Sequence, residues 1–195
     1  MKAGFNTVNV DYPSRYSPIK TLANTTIPAA ITECLPEKRA HFVSHSLGGI
    51  LIWQYMKTNP TYAIGRVVML GPPNQGSELV DKLSGLPGIS VMGPAFQALG
   101  TDANSVPNQL GPVYFELGVI AGSRTLNPLF SLTIPGSDDG KVSVMSTEIE
   151  GMNDHIIRDA RLYLCQHRFK NIQRLYKAAL LFKICSRAIE LSLRS

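Results

Sequence analysis

Residues 41–49 read "HFVSHSLGG", and Ser46 stands inside a run of small and polar residues. A serine becomes a nucleophile only when its hydroxyl is exposed, a base can reach it, and donors wait for the oxyanion that forms. A sharp turn from strand to helix meets all three needs. It lifts the hydroxyl above the end of a sheet, aims the backbone N–H of the next residue, here Leu47, at the oxyanion, and sets the positive end of a helix below it. Strand and helix pass closely at such a turn, so the residues two positions either side must be small, as Ser44 and Gly48 are. The same serine could instead be the ordinary N-cap of a helix. His45 holds the variable position of the turn, where packing or lining the site fits it better than acting as base. His41 opens the preceding segment and reads as structural.

The surrounding elements are those such a turn requires. "AHFVS" (40–44) is a short apolar strand, and "LGGILIWQYMKTN" (47–59) is a buried helix that Pro60 ends. Upstream, "GFNTVNVDYP" (4–13) reads as a strand. Residues 18–35 place Ile19, Leu22, Ile27, Ala30 and Ile31 at helical spacing, with an interruption or restart expected at Pro28. Downstream, "GRVVML" (65–70) is a strand followed by the turn "GPPNQG". Alternating strands and helices predict a mostly parallel sheet covered by helices. Residues 71–112 hold 7 glycines and 6 prolines, with short helical pieces at 77–83 and 94–99, which suggests a cover over a site. "FELGVIAGS" (115–123) returns to strand character, and 130–144 is two apolar stretches around an acidic turn. From Arg161 the pattern is one or two basic amphipathic helices, with Ile172, Leu175, Ala179 and Leu180 at helical spacing.

The chain has 195 residues, 44% hydrophobic and 17% charged, which suits one domain, or one domain with an appendage. Its net charge of +5 is uneven: residues 161–195 carry 8 Lys/Arg and one acid, Glu190, against 11 Lys/Arg and 13 Asp/Glu before them. The basicity therefore belongs to the last segment and does not indicate nucleic-acid binding by the whole. Cys34, Cys165 and Cys185 form no C-x-x-C pair, which fits a reducing compartment better than a disulfide framework. No apolar run approaches the ~20 residues of a membrane helix, and no secretory signal is visible, so the default expectation is cytoplasmic. No phosphate loop, dinucleotide fingerprint or metal-ligand cluster occurs, so neither a cofactor nor a metal is expected.

Four ordered segments carry a resemblance: "VNVDYPSR", "HFVSHSLGGILIWQY", "RVVMLGPPNQGSEL" and "GSDDGKVSVMSTEIEGM", spread over residues 8–152. Together they resemble the α/β-hydrolase superfamily, in particular its lipase-like bacterial members. Ser44 stands where the family's motif has its first glycine. The resemblance implies an α/β class: an α/β-hydrolase fold with a mostly parallel sheet and helices on both faces, lacking the first strands. The core would span 1–160, with 71–112 as cap or pocket segment and 161–195 as a basic helical region. It also implies hydrolysis of carboxylic esters, small-molecule or lipid, by a Ser-Asp-His triad through an acyl-enzyme. Ser46 is the nucleophile in that scheme. Asp139 in "SDDGKV" is the acid, with Asp138 as the alternative, although Asp-Gly also makes a plain turn. The base follows the acid: His155, 16 residues past Asp139 and expected on a loop, or His167. The family position near 160–163 holds Ala160, Arg161, Leu162 and Tyr163 instead. Family members place a strand and an oxyanion loop before the "GFNTVNVDYP" strand. Here only Met1, Lys2 and Ala3 precede Gly4, so the Leu47 N–H is the one donor that can be named.

Two other readings compete with an active ester hydrolase. One is a hydrolase fold with impaired or lost catalysis. The other is a binder of anionic membranes or acidic partners through 161–195.

Overall fold

Apolar residues set the first half of the fold. In the computed structural model, which describes residues 6–33, 40–62, 64–123, 142–158 and 187–193, strand β1 (Asn6–Tyr12) leads to helix α1 (Ile19–Glu33). Ile19, Leu22, Ala23, Thr26, Ile27 and Ala30 are its buried stripe, the 3.6-residue period read from the sequence. Pro28 does not interrupt it. A proline inside a helix forfeits a hydrogen bond and crowds the turn before it, but Ile27 and Ala30 dock the helix on either side of Pro28, and packing outweighs the local defect.

Strand β2 (His41–His45), helix α2 (Leu47–Thr58) and strand β3 (Val67–Leu70) follow. The segment after β3 is short helical pieces: α3 (Glu78–Leu83), a 3₁₀ turn at Ile89–Met92, α4 (Pro94–Gln97) and α5 (Val106–Leu110). Strands β4 (Leu117–Gly122) and β5 (Asp154–Arg158) come next, and β6 (Arg187–Leu193) is last. All pairings in the sheet are parallel, in the order β1-β6-β2-β3-β4-β5. Every residue of β3 and β4 is buried, so both faces of the sheet are covered there. Phe42, Ile50, Leu51, Ile52, Met69 and Leu117 form the centre of the core.

β6 corrects the expectation of a helix over the whole of 161–195. Residues 187–193 are a strand, threaded between β1 and β2. It pairs along its full length with β1, from Asn6↔Arg187 to Tyr12↔Leu193, and with β2 from His41↔Ala188 to Ser44↔Leu191. "RAIELSL" puts Ile189, Leu191 and Leu193 at alternate positions, a period of two that suits a strand. The deciding factor is non-local: without β6, β1 and β2 would each present an unpaired edge in the middle of the sheet. The remainder of that basic region, 161–186, lies outside the described residues. No helix among the described residues is long and apolar enough to cross a membrane.

One core group is out of place. Tyr12 is 2% exposed, and its hydroxyl has no hydrogen-bond partner among the described residues. Burial raises its phenol pKa far above the ordinary value near 10. A buried hydroxyl left unpaired costs about 1–3 kcal/mol. Tyr12→Phe is therefore expected to stabilise the chain, raising the melting temperature by roughly 2–4 °C per kcal/mol gained. The folded state keeps this proton above pH ~10, where the unfolded chain releases it, so stability should fall as pH rises past ~10. A thermal-melt series at alkaline pH should show that fall weakened in the Phe variant.

Candidate active site

Ser46 is the last residue before α2, at the carboxyl end of β2. Its backbone has φ 51° and ψ −122°, the one positive φ among the described non-glycine residues. Such a conformation costs an L-residue about 1–3 kcal/mol and persists only where its surroundings impose it. Those surroundings are identifiable. The Ser46 N–H donates to Leu70 O at 2.9 Å, continuing the β2–β3 ladder by one step, and the Gly49 N–H donates to Ser46 O at 3.1 Å, already closing the helix. Strand and helix thus meet at a single residue. The helix then folds back over the strand so tightly that a Cβ at Gly49 would lie 2.8 Å from Met69 Sδ. Gly49, next to the Gly48 singled out in the sequence, is therefore a position where this crossing demands a small residue.

The Ser46 side chain makes no capping hydrogen bond to α2. The N-cap reading thereby loses the contact that defines it. Ser46, partly exposed, stands at the carboxyl edge of the sheet, beside the N-terminus of a 12-residue helix. His45 is buried beneath the turn, and His41 sits at the other end of β2, its Nδ1 accepting the Arg66 N–H at 2.9 Å. His41 therefore occupies the structural position expected of it.

The loop after β3 builds the rest of this edge by gripping residues 142–148. Asn74 Nδ2 donates to Thr147 O at 2.7 Å, and the Gln75 N–H donates to Ser146 O at 2.9 Å. Gln75 Nε2 adds donations to Met145 O and Glu148 O. Glu78, at the start of α3, accepts the Ser143 and Ser146 hydroxyls at 2.6 and 2.7 Å. None of these residues stood out individually, although "GPPNQGSEL" and "VSVMSTEIEGM" belong to two of the four resembling segments. Their pairing across 70 positions is a tertiary fact that neither segment announces.

Asp139, Asp138 and His167 lie outside the described residues; the described chain resumes at Val142, three residues after Asp139. His155 is described, and its expected place on a loop beside Ser46 is corrected. It lies within β5, paired with Val119 of β4. Three strand spacings, about 14 Å, separate β5 from β2. Through Val119 and Met69, His155 is level with Ser44, two residues short of Ser46. Side-chain rotation closes no such gap. Its ring is also occupied: Nε2 is 2.8 Å from Thr147 Oγ1. That hydroxyl donates its only proton to Val144 O at 2.6 Å, so toward His155 it must accept, which assigns the proton to Nε2.

No protein-family model matches the chain, and neither does any curated protein. Solved structures do resemble it. The Bacillus licheniformis lipase BlEst2 in its mature form superposes with a TM-score of 0.60 at 17% identity, covering 84% of this chain and 76% of the lipase. Its propeptide form gives 0.61 at 18% identity over 78% of this chain and 38% of that one. The phospholipase PlaB from Legionella pneumophila gives 0.56 at 20% identity, over 70% and 35%. This chain thus spans little more than a third of the two longer proteins. The parallel sheet, the strained serine at a strand-to-helix turn and these superpositions agree: the chain has a lipase-like α/β-hydrolase fold.

Proposed function

We propose that the chain is a serine hydrolase of carboxylic esters. Ser46 is the nucleophile, the Leu47 backbone N–H is an oxyanion donor, and Asp139 is the acid that orients the base. The observation that carries this reading is the Ser46 backbone, held in a costly conformation at the end of the sheet with its hydroxyl making no capping bond to α2. In the reaction the Ser46 oxygen attacks the ester carbonyl while its proton passes to the base. The tetrahedral oxyanion is met by the Leu47 N–H, and its collapse expels the alcohol and leaves an acyl-serine for water to cleave. Tyr16, Leu86, Val91 and Met92 are large apolar side chains exposed on the segments after β1 and between α3 and α4. They support an apolar, lipid-like ester as substrate, as do the lipase and phospholipase among the superposed structures.

The position of His155 favours a second reading, a hydrolase fold with impaired turnover. With His155 held at Thr147, His167 is the remaining histidine that follows the acid in sequence. General-base help is worth about 10²–10⁴ in rate. His155→Ala is accordingly expected to leave ester turnover within about threefold of the parent, since the residue contributes no base and removing one hydrogen bond costs only about 1 kcal/mol of stability. A steady-state assay with p-nitrophenyl butyrate checks this, and a loss of 10²-fold or more would return His155 to the mechanism. The reading as a whole is tested by a fluorophosphonate probe. Labelling of the purified chain that vanishes in Ser46→Ala supports it, and labelling unchanged in that variant removes the nucleophile.

A further inference from the structure

A cavity of about 540 Å³ opens at the amino end of the sheet, at the edge opposite Ser46. Its walls come from the far half of α2 (Trp53, Met56, Lys57), the approach to β3 (Tyr62, Ile64, Arg66) and the segment leading into β4 (Leu110, Phe115, Glu116). The volume lies within the roughly 300–1,000 Å³ of small-molecule sites, and an apolar lining with a few polar groups is their usual character.

Three features show a shaped site. The His41 ring is fixed by the hydrogen bond from the Arg66 N–H to Nδ1 and lies flat on Gly65, where a Cβ would sit 2.6 Å from it. The Arg66 guanidinium, in the lining, is paired with Glu116. The Lys57 ammonium is anchored at the rim by donation to Gln109 O, which uses one of its three donors. Among the described residues, two cations and one carboxylate thus line an aromatic and aliphatic interior. Tyr114, 89% exposed at the same mouth, adds apolar surface.

We propose that this cavity binds an amphiphilic carboxylate, an alkyl-chain acid of about decanoate size. The chain enters against Trp53, Met56, Ile64 and Phe115, and the carboxylate is held by the Lys57 ammonium, with the Arg66 charge beside it. Attraction between the carboxylate and this positive rim selects the anion over a neutral amphiphile of equal length. The site does not depend on chemistry at Ser46. α2 separates the two, and its 12 residues span about 18 Å.

Trp53 is the only tryptophan in the chain, so its emission reports this cavity alone. The experiment titrates the full chain with omega-bromodecanoate, whose bromine quenches an indole it touches, and with omega-bromodecanol as the neutral counterpart. Saturable quenching by the acid is expected, with a Kd on the order of 0.1 mM. The alcohol should bind roughly tenfold more weakly. Lys57→Met keeps the aliphatic stem of an exposed residue and should remove most of that difference. Glu116→Gln, which deletes the carboxylate among the described lining residues, should tighten the acid about threefold. Ser46→Ala should bind as the parent does, which separates this site from the ester-hydrolase reading. Absence of saturable quenching up to ~10 mM, equal binding of acid and alcohol, or a Lys57→Met variant that keeps its preference would each overturn the proposal.

Discussion

Ser46→Ala is expected to erase fluorophosphonate labelling and to lower any ester turnover by about 10³-fold or more, because it removes the hydroxyl proposed to carry the acyl group. Its companion, Ser46→Gly, should lose the chemistry equally and yet gain stability. A residue with φ 51° and ψ −122° carries about 1–3 kcal/mol of backbone strain that glycine does not feel. Ser46→Gly should therefore melt above both the parent and Ser46→Ala, by roughly 2–4 °C per kcal/mol relieved. An N-cap serine behaves in the opposite way: alanine would cost about 0.5–2 kcal/mol and glycine a few tenths. Thermal denaturation of the three proteins separates the alternatives. A Ser46→Gly variant less stable than the parent would mean that the turn is not strained as described.

Ile189→Pro is expected to be the most destabilising single change. Ile189 is paired with Val8 on one side and Phe42 on the other, in the strand that joins β1 to the rest of the sheet. Proline there removes a ladder donor and forces its ring against a neighbouring strand. Central strands exclude proline for this reason. The loss should be about 3 kcal/mol or more, against a total stability of roughly 5–15 kcal/mol for a domain. Chemical denaturation should find a much lower midpoint or no folded baseline. Ile157→Thr is the contrast. Ile157 lies on edge strand β5 and is 56% exposed, so its replacement should change stability by less than about 0.5 kcal/mol. Equal midpoints for the two variants would show that β6 does not hold the central slot.

The sequence was most legible where structure is local. The buried stripe of α1, the strand "HFVSH", the helix after it and the short pieces at 78–83 and 94–97 follow from periodicity and turn residues within a dozen positions, and each lies where expected. The strained turn was legible too, because small residues around a serine between strand and helix leave the backbone few other paths. The close approach of Gly49 to Met69 was not legible there, since it depends on how the helix crosses the sheet.

What the sequence alone determined is therefore the alternation of strands and helices, the parallel sheet that follows from it, and the serine at the carboxyl end of β2. Tertiary structure decided the rest. It placed 187–193 between two strands from the other end of the chain, where open hydrogen-bonding edges outweigh the helical pattern of the neighbouring basic residues. It put His155 in β5 with its ring on Thr147, because pairing with β4 fixes that register whatever the spacing from Asp139 suggests. It also assembled a cavity from segments that enter β2, β3 and β4, residues with no common motif. The physical reason is the same in each case: the partner that settles the free energy of these residues lies far away in sequence, so no local window contains it.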